Sequence, residues 1–319
     1  MRQIKIKPYL GDQALTFIIS HCPVVESTKY VEYFRMWNNP AKSGHSATRD
    51  DKQVSGVAVS CLAMNTVALF IPCFVDQLVP QVAFDMAAVL RRVGYRVELF
   101  PEQTCCGQPA FNAGYWNEAR PLAQRFVEIF RTAEFVVCPS GSCTTMLRVF
   151  YPELLAKSAL RRESIELGKR VFEFSEFLVG RSHTSEIAAR FPHKVAYHDA
   201  CHALRELHLK QEPRKLLEKV HSLQLVEMAY SEDCCGFGGT FATKFDMISV
   251  AMGNSKAASA EASGAEFVTS TDPSCLMQIE GILRRRKSAV RTIHLASILA
   301  QTADGQEGDP QEANRNPGS

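Results

Sequence analysis

The sequence lacks any apolar run of the roughly 18–20 residues that a bilayer-spanning helix needs. Its N-terminal stretch carries one Arg and two Lys but no continuous apolar segment ending in small residues, which makes a poor secretory signal. Charge of one sign is also missing. The formal net charge is +2 over 319 residues, so nothing electrostatic argues for nucleic acid or a membrane surface. There is no Walker motif, no nucleophile elbow and no C-x-x-C redox pair. The glycines of "GFGGTF" (236–241) do not fit G-x-G-x-x-G and follow a cysteine pair rather than a strand. No flavin or nicotinamide fingerprint is present, so any hydride chemistry is expected on another subunit or on an unrecognised cofactor. These absences leave a protein of the cytoplasm, or one peripheral at the inner face of its membrane, as the expectation.

What is present is ordinary except for one residue type. A hydrophobic content of 46% and a charged content of 22% suit a soluble globular chain, and the length has room for two domains. The eleven cysteines do not fit that picture. Without a secretory signal, such a set points to metal or catalysis rather than to a disulfide framework, and an odd number cannot all pair within one chain.

The cysteines repeat. Cys73 to Cys201 spans 128 positions, Cys105 to Cys234 spans 129, and Cys143 to Cys275 spans 132. The adjacent pairs Cys105-Cys106 and Cys234-Cys235 are each followed by glycine, Gly107 and Gly236. Each copy opens with an apolar strand-like run, 65–73 and 193–201. A helical pattern follows (80–94, 212–223), then a second strand (95–100, 223–229). After the CCG loop come a helix (115–133, 246–263) and a third strand (134–140, 265–271). Strands alternating with helical patterns predict an α/β fold of two pseudo-symmetric βαβ-type repeats with parallel sheets. Every cysteine of the repeat then falls at the carboxyl end of a strand, where open α/β sheets place their sites. The connector 144–180 reads as helical pieces, 180–186 as a loop, and 290–301 as a last strand and short helix. The expected divisions are an extension over 1–63, repeat one over 64–190, repeat two over 191–301 and a disordered tail over 302–319. Met64, directly before the first strand, is the expected start of the functional chain.

Thiolates are soft ligands that select zinc, copper(I) or iron–sulfur clusters. Structural zinc favours short C-x2–4-C knuckles, whereas each copy here offers one distant cysteine, an adjacent pair and a second distant cysteine. That pattern suits the four thiolates of a cluster. Cys73, Cys105, Cys106 and Cys143 form site one; Cys201, Cys234, Cys235 and Cys275 form site two. The glycine after each pair gives the φ freedom that aims both thiols one way. Gly141, Gly236 and Gly238 are expected to let backbone N–H groups approach cluster sulfur. Structural zinc, a redox dithiol and a nucleophilic cysteine remain as alternatives at this stage. Cys138, which has no counterpart in the second copy, is either a neighbour of site one or a buried strand thiol; Cys22 and Cys61 are expected to be unligated. In "YHDACHALRELH", His198 or His202 is a hydrogen-bond donor or proton carrier beside site two; alternatively Asp199 and His202 cap the next helix and His208 lies on its surface. The basic run 284–287 is expected at a helix end.

The stretches "IPCFVDQLVP", "QTCCGQPAFNAGY", "CPSGSC", "YHDACHALREL", "CCGFGGTFATKF" and "DPSCLMQIEG" resemble the cysteine-rich CCG-domain family. That family includes the B subunit of heterodisulfide reductase and the iron–sulfur subunit of glycolate oxidase, and the chain is similar to its lactate-utilisation branch. The resemblance covers about three quarters of the chain, from about Met64 to Gln301. It implies one iron–sulfur cluster per repeat, and four thiolates per site suit two 4Fe–4S clusters. It also implies a component of an L-lactate-oxidising oxidoreductase that is not catalytic alone. The implied partners are a ferredoxin-type iron–sulfur protein and a further lactate utilisation protein. The rival roles are a catalytic subunit of heterodisulfide-reductase type, the glycolate oxidase subunit, and a zinc-stabilised binding module. The sequence departs from the wider motif at Ser140 and Asp272, three positions before Cys143 and Cys275, where the family has a further cysteine; this argues against a fifth thiolate. The ferredoxin run that accompanies the repeats in the glycolate oxidase subunit is absent.

Overall fold

The computed structural model describes residues 65–181 and 187–302. Cys22, Cys61, the extension before Met64, the loop residues 182–186 and the tail from 303 lie outside the described residues. Among the described residues, eight short strands form two four-stranded parallel sheets. β1 (Thr66–Leu69), β2 (Arg96–Leu99), β3 (Phe135–Cys138) and β4 (Val171–Glu173) pair in the order β2-β1-β3-β4. β5 (Lys194–Tyr197), β6 (Gln224–Val226), β7 (Phe267–Ser270) and β8 (Arg291–His294) repeat it as β6-β5-β7-β8. In each sheet the chain starts in an inner strand, moves to one side and then crosses to the other. The switch lies between β1 and β3, and between β5 and β7, and a crevice opens there beyond the carboxyl ends.

The strands are apolar on both faces, as parallel strands covered by helices must be. Val67 and Leu69 of β1 face a core shared by the two repeats, while Ala68 and Phe70 face the opposite way. In β5, Val195 and Tyr197 face the shared core and Ala196 turns away. The shared core is filled by helices from both halves. Helix Gln81–Arg92 of the first repeat packs on helix Leu295–Ala300 of the second, and helix Phe174–Arg181 packs on Gln211–Leu217. The Arg92 guanidinium donates to the carbonyls of Leu299 at 2.9 Å and Ala300 at 2.8 Å, closing the end of the partner helix.

Two local expectations change. The connector 144–180 is not helical throughout: it contains β4, which completes the first sheet. Its core is three residues long, too short to show an alternation. The helix expected over 212–223 stops at Leu217, because Arg190 and His221 form a β-bridge and Ser222 takes a positive φ of 64°.

The fourth strands end alike. Glu173 caps the helix after β4, accepting from the Ser175 N–H at 2.8 Å; His294 caps the helix after β8, its Nδ1 accepting from the Ala296 N–H at 3.1 Å. His294 Nε2 also lies 3.1 Å from the Pro139 carbonyl of the other repeat, to which it donates. Burial drives the His294 pKa down to about 4. Its folded value is thus below its ordinary one of about 6.5, so the stability it contributes is present above pH 6.5 and lost as pH falls toward 4. We expect the unfolding free energy to decline across that window. His294→Asn should flatten the decline, measured by urea titration at a series of pH values.

Candidate metal centres

Each site is assembled from three strand ends. Cys73 opens the helix after β1, Cys105 and Cys106 sit in the loop after β2, and Cys143 lies in the helix Gly141–Thr145 after β3. Cys201, Cys234, Cys235 and Cys275 take the same places after β5, β6 and β7. The thiols then touch in one order. In site one the Cys73 and Cys105 sulfurs are 3.5 Å apart, Cys105 contacts Cys106, and Cys106 is 3.4 Å from Cys143. In site two Cys201 contacts Cys234, Cys234 contacts Cys235, and Cys235 contacts Cys275. The structure thus brings together each of the two quartets read from the sequence, four by four.

The turn between the pair follows from glycine. Gly107 has φ of 80° and Gly236 has φ of 88°, values that glycine alone tolerates readily. The positive φ folds the chain back so that its own N–H reaches the first sulfur of the pair. Gly107 donates to Cys105 Sγ at 3.3 Å and Gly236 to Cys234 Sγ at 3.4 Å. A Cβ on Gly236 would lie 2.6 Å from the Ser249 carbonyl oxygen, whereas one on Gly107 would meet Leu122 Cδ1 at 3.4 Å. Gly236→Ala is therefore expected to destabilise the chain by about 2–4 kcal/mol, from backbone strain and a clash with main chain. Gly107→Ala should show the strain alone, about 1–3 kcal/mol; denaturant titration of both variants checks the difference.

The other glycines do different work. The Gly141 N–H is spent on the Thr271 carbonyl at 3.3 Å, across the repeats, and a Cβ there would lie 2.6 Å from that of Ala203. Gly238, with φ of 53°, accepts from the Phe241 N–H at 3.2 Å and turns the chain into the helix Thr240–Lys244.

Thiol electrostatics are set by these contacts. The Cys106 and Cys138 thiols donate to the Cys143 sulfur and hold its pKa down to about 5; Cys201 and Cys235 donate to Cys234 and likewise lower its pKa well below the ordinary thiol range. The donors go the other way: Cys106, Cys201 and Cys235 are all pushed up.

His198 supplies the clearest sign that a group belongs in site two. The side chain is fully buried, both ring nitrogens lack a hydrogen-bond partner, and one ring nitrogen lies within 4.8 Å of the Cys235 and Cys275 sulfurs. Burial lowers its pKa to about 4, so the ring is neutral near pH 7. A buried imidazole left unsatisfied is costly, and a thiolate-ligated group in the pocket would accept its N–H. The donor set, soft sulfur with one histidine beside it, suits iron–sulfur or zinc chemistry. His202 is less engaged: its Nδ1 is 3.8 Å from Cys201 Sγ, and its ring meets Phe150 at the repeat boundary.

Asp199 does not cap the following helix, whose N-cap is Ala200 with no side-chain bond. It forms a buried bidentate pair with Arg214 instead, at 2.7 and 2.9 Å. His208 is exposed, in a turn past the helix rather than on it. Cys138 is fully buried at the end of β3, its thiol against Cys143 and 3.6 Å from the Ser140 carbonyl. The basic run 284–287 does end a helix, with Arg284 on Glu280 and Arg286 on Glu261.

Ser140 and Asp272 turn out to be structural in a way the missing-thiolate reading did not contain. Ser140 Oγ accepts from the Cys143 N–H at 3.3 Å, and Asp272 Oδ1 accepts from the Ser274 N–H at 3.2 Å, so each caps the helix that carries the last cysteine. Asp272 Oδ2 also accepts from the Ser142 N–H at 2.9 Å and from Ser140 Oγ at 3.4 Å. The two ligand-bearing segments are therefore bonded to each other. Tyr151, Arg214 and Lys256 were not singled out in the sequence. Tyr151 donates to the Cys106 carbonyl at 2.9 Å and is fully buried.

Comparison with known proteins bears on this pair of sites. The family model described as "Cysteine-rich domain" (CCG) matches twice, over residues 67–148 and 195–280. The chain belongs to the CCG cysteine-rich domain family. Each CCG match spans one thiol quartet and most of the sheet that presents it. This CCG protein is 38% identical over 237 residues to lactate utilization protein A 2 of Bacillus cereus strain 03BB102, covering 74% of this chain and 98% of the relative. It is 38% identical over 234 residues to lactate utilization protein A of Bacillus pumilus, covering 73% and 98%. Among solved structures, a hypothetical protein from Helicobacter pylori shares the fold, with a TM-score of 0.53 at 14% identity. That match takes in 78% of this CCG chain, which spans half of the Helicobacter chain.

Proposed function

We propose that the chain is an iron–sulfur electron-transfer subunit of a system that oxidises L-lactate to pyruvate, with one 4Fe–4S cluster in each repeat. The observation that carries this is the convergence of four thiols at each switch point, in the same contact order twice. The names of the Bacillus relatives supply the lactate system. Cys73, Cys105, Cys106 and Cys143 would hold the first group, and Cys201, Cys234, Cys235 and Cys275 the second. Bound there, such clusters supply one-electron storage and transfer.

The chain's own residues do the rest. Gly107 and Gly236 keep an N–H on a ligand sulfur, which favours the electron-rich state. Neutral His198 offers a further donor in site two. Buried Cys106, Cys143, Cys235 and Cys275 form the dry side of each site, while Cys73, Cys201 and Cys234 are part-exposed, which gives electrons a route to a partner. The proposed partners are a ferredoxin-type iron–sulfur protein and a further lactate utilisation protein, met in the cytoplasm or at the inner face of the membrane. Among the described residues, no helix is long and apolar enough to cross a bilayer.

Anaerobic purification followed by iron and sulfide counting with EPR tests the reading. Brown protein with two clusters per chain supports it, and colourless protein rich in zinc overturns it. Supplying the chain alone with L-lactate and an artificial acceptor separates relay from catalyst. Turnover would refute the relay.

A further inference from the structure

The long helices behind the two CCG turns are equivalent. Helix Trp116–Phe130 buries Ala119, Ala123, Phe126, Val127 and Phe130; helix Asp246–Ala262 buries Ser249, Gly253, Lys256, Ala257 and Ala260, each 130 positions later. The register is confirmed where the glycine of each turn abuts its helix, Gly107 against Ala119 and Gly236 against Ser249. In this register a lysine stands where the first repeat has a phenylalanine.

The two environments differ accordingly. Phe126 packs in an aromatic cluster, with ring centroids 5.4 Å from Phe70, 4.7 Å from Phe130 and 5.6 Å from Tyr151. Lys256 is 2% exposed. Its ammonium donates to the Tyr230 carbonyl and, at 3.2 Å, to the Ser231 carbonyl, in the segment that leads into Cys234-Cys235. Among the described residues no carboxylate forms an ion pair with it, and the nearby buried acid, Asp199, is taken by Arg214. The other ionisable groups facing it are Asp233, Cys235, Cys275 and the neutral His198. A cation held out of water without an anion is expensive. A permanently anionic thiolate site beside it would remove that penalty.

We propose that Lys256 is the counter-charge of site two, and that it holds the group bound there at a more positive reduction potential than the group in site one. The inference rests on the iron–sulfur reading. A fixed positive charge stabilises the reduced state, which carries one more negative charge, and cluster potentials respond to net charge nearby. Site two is then the accepting end of the pair. One electron leaves the site-one group, which is oxidised by one, and enters the site-two group, which is reduced by one; no bond forms or breaks and no proton moves. The donor upstream and the acceptor downstream are one-electron redox centres of partner proteins. Lys256 acts through charge and position, without contacting substrate.

The test is an EPR-monitored potentiometric titration of the full iron-loaded chain, wild type beside Lys256→Gln and Lys256→Arg. Glutamine keeps a donor for the carbonyls but removes the charge, and arginine keeps the charge. Cys235→Ser identifies which signal belongs to site two. In the wild type, the site-two signal should titrate at the higher potential. In Lys256→Gln it should move negative by a tenfold or greater change in the one-electron equilibrium, ~59 mV, while site one stays put; Lys256→Arg should restore it. An unshifted site-two potential in Lys256→Gln with iron intact overturns the proposal, as does an equal shift in Lys256→Arg. Loss of site-two iron from both variants also overturns it, since the lysine would then only hold the turn. Wild-type protein carrying zinc without sulfide would instead sink the iron–sulfur reading, before any potential is measured.

Discussion

Cys235→Ser is expected to strip the iron from site two and leave site one loaded, and Cys106→Ser the reverse, so that each variant keeps close to half the iron per chain. Both residues are buried, at 2% exposure, and each touches two other thiols of its quartet, the first of the pair and the cysteine after the third strand. Serine keeps the volume but offers a hard oxygen that resists ionisation, in a place that selects soft thiolate. The second cysteine of each pair is the informative target because Cys73, Cys201 and Cys234 lie at the part-exposed side, where water could complete a coordination sphere. Iron and sulfide assays with EPR of anaerobically prepared variants give the answer. Retention of all the iron in both variants would remove the CCG turn from the ligand set.

Arg214→Met is expected to destabilise the chain by about 3–5 kcal/mol, because it leaves a buried carboxylate without its partner. Asp199 is 1% exposed, and both carboxylate oxygens accept from the Arg214 guanidinium, with Ser231 as a further hydrogen-bond partner. That guanidinium also bonds Glu227 at 2.9 Å and the Lys210 carbonyl at 2.8 Å, and it lies over the Tyr197 ring with its carbon 4.9 Å from the centroid. Burial works to raise the Asp199 pKa, and the paired guanidinium outweighs it, so the carboxyl is held below its ordinary range. Asp199 lies two residues before Cys201, so the pair fixes the strand end from which a ligand departs. The double variant Asp199→Asn, Arg214→Met should recover much of the loss, since no charge is then stranded. Equilibrium urea unfolding of the three proteins decides it; a loss below about 1 kcal/mol in the single variant would place the pair among surface-like ion pairs.

The repeat was legible because its ligands sit at strand ends, and strand ends are marked by where an apolar run stops. "NTVALFIPC" and "HKVAYHDAC" each carry their strand and deliver their cysteine a few residues later. β4 was hidden because three residues in "RVFEF" show no period. Asp272 was read only for the thiol it lacks, although Asp followed by Pro and Ser is a helix start in its own right. Its second bond, to the Ser142 N–H, joins positions 130 residues apart and leaves no local trace. The same holds for Lys256, which interrupts a run of small residues in "NSKAASAEA" and reads as a solvated position until the helix face is known.

The shared core has a consequence for how such a chain could arise. Helix Gln81–Arg92 finds its cover in helix Leu295–Ala300, and helix Phe174–Arg181 in Gln211–Leu217, so each half lends the other the side it cannot close alone. A single repeat would expose that apolar face to water. It would be complete only against a second copy of itself, in a self-complementary two-fold dimer. The present chain has the arrangement of such a dimer joined in tandem. Covalent linkage lets the two halves diverge, and Phe126 and Lys256 record the divergence: in a dimer of identical halves, no lysine could be placed on one side only.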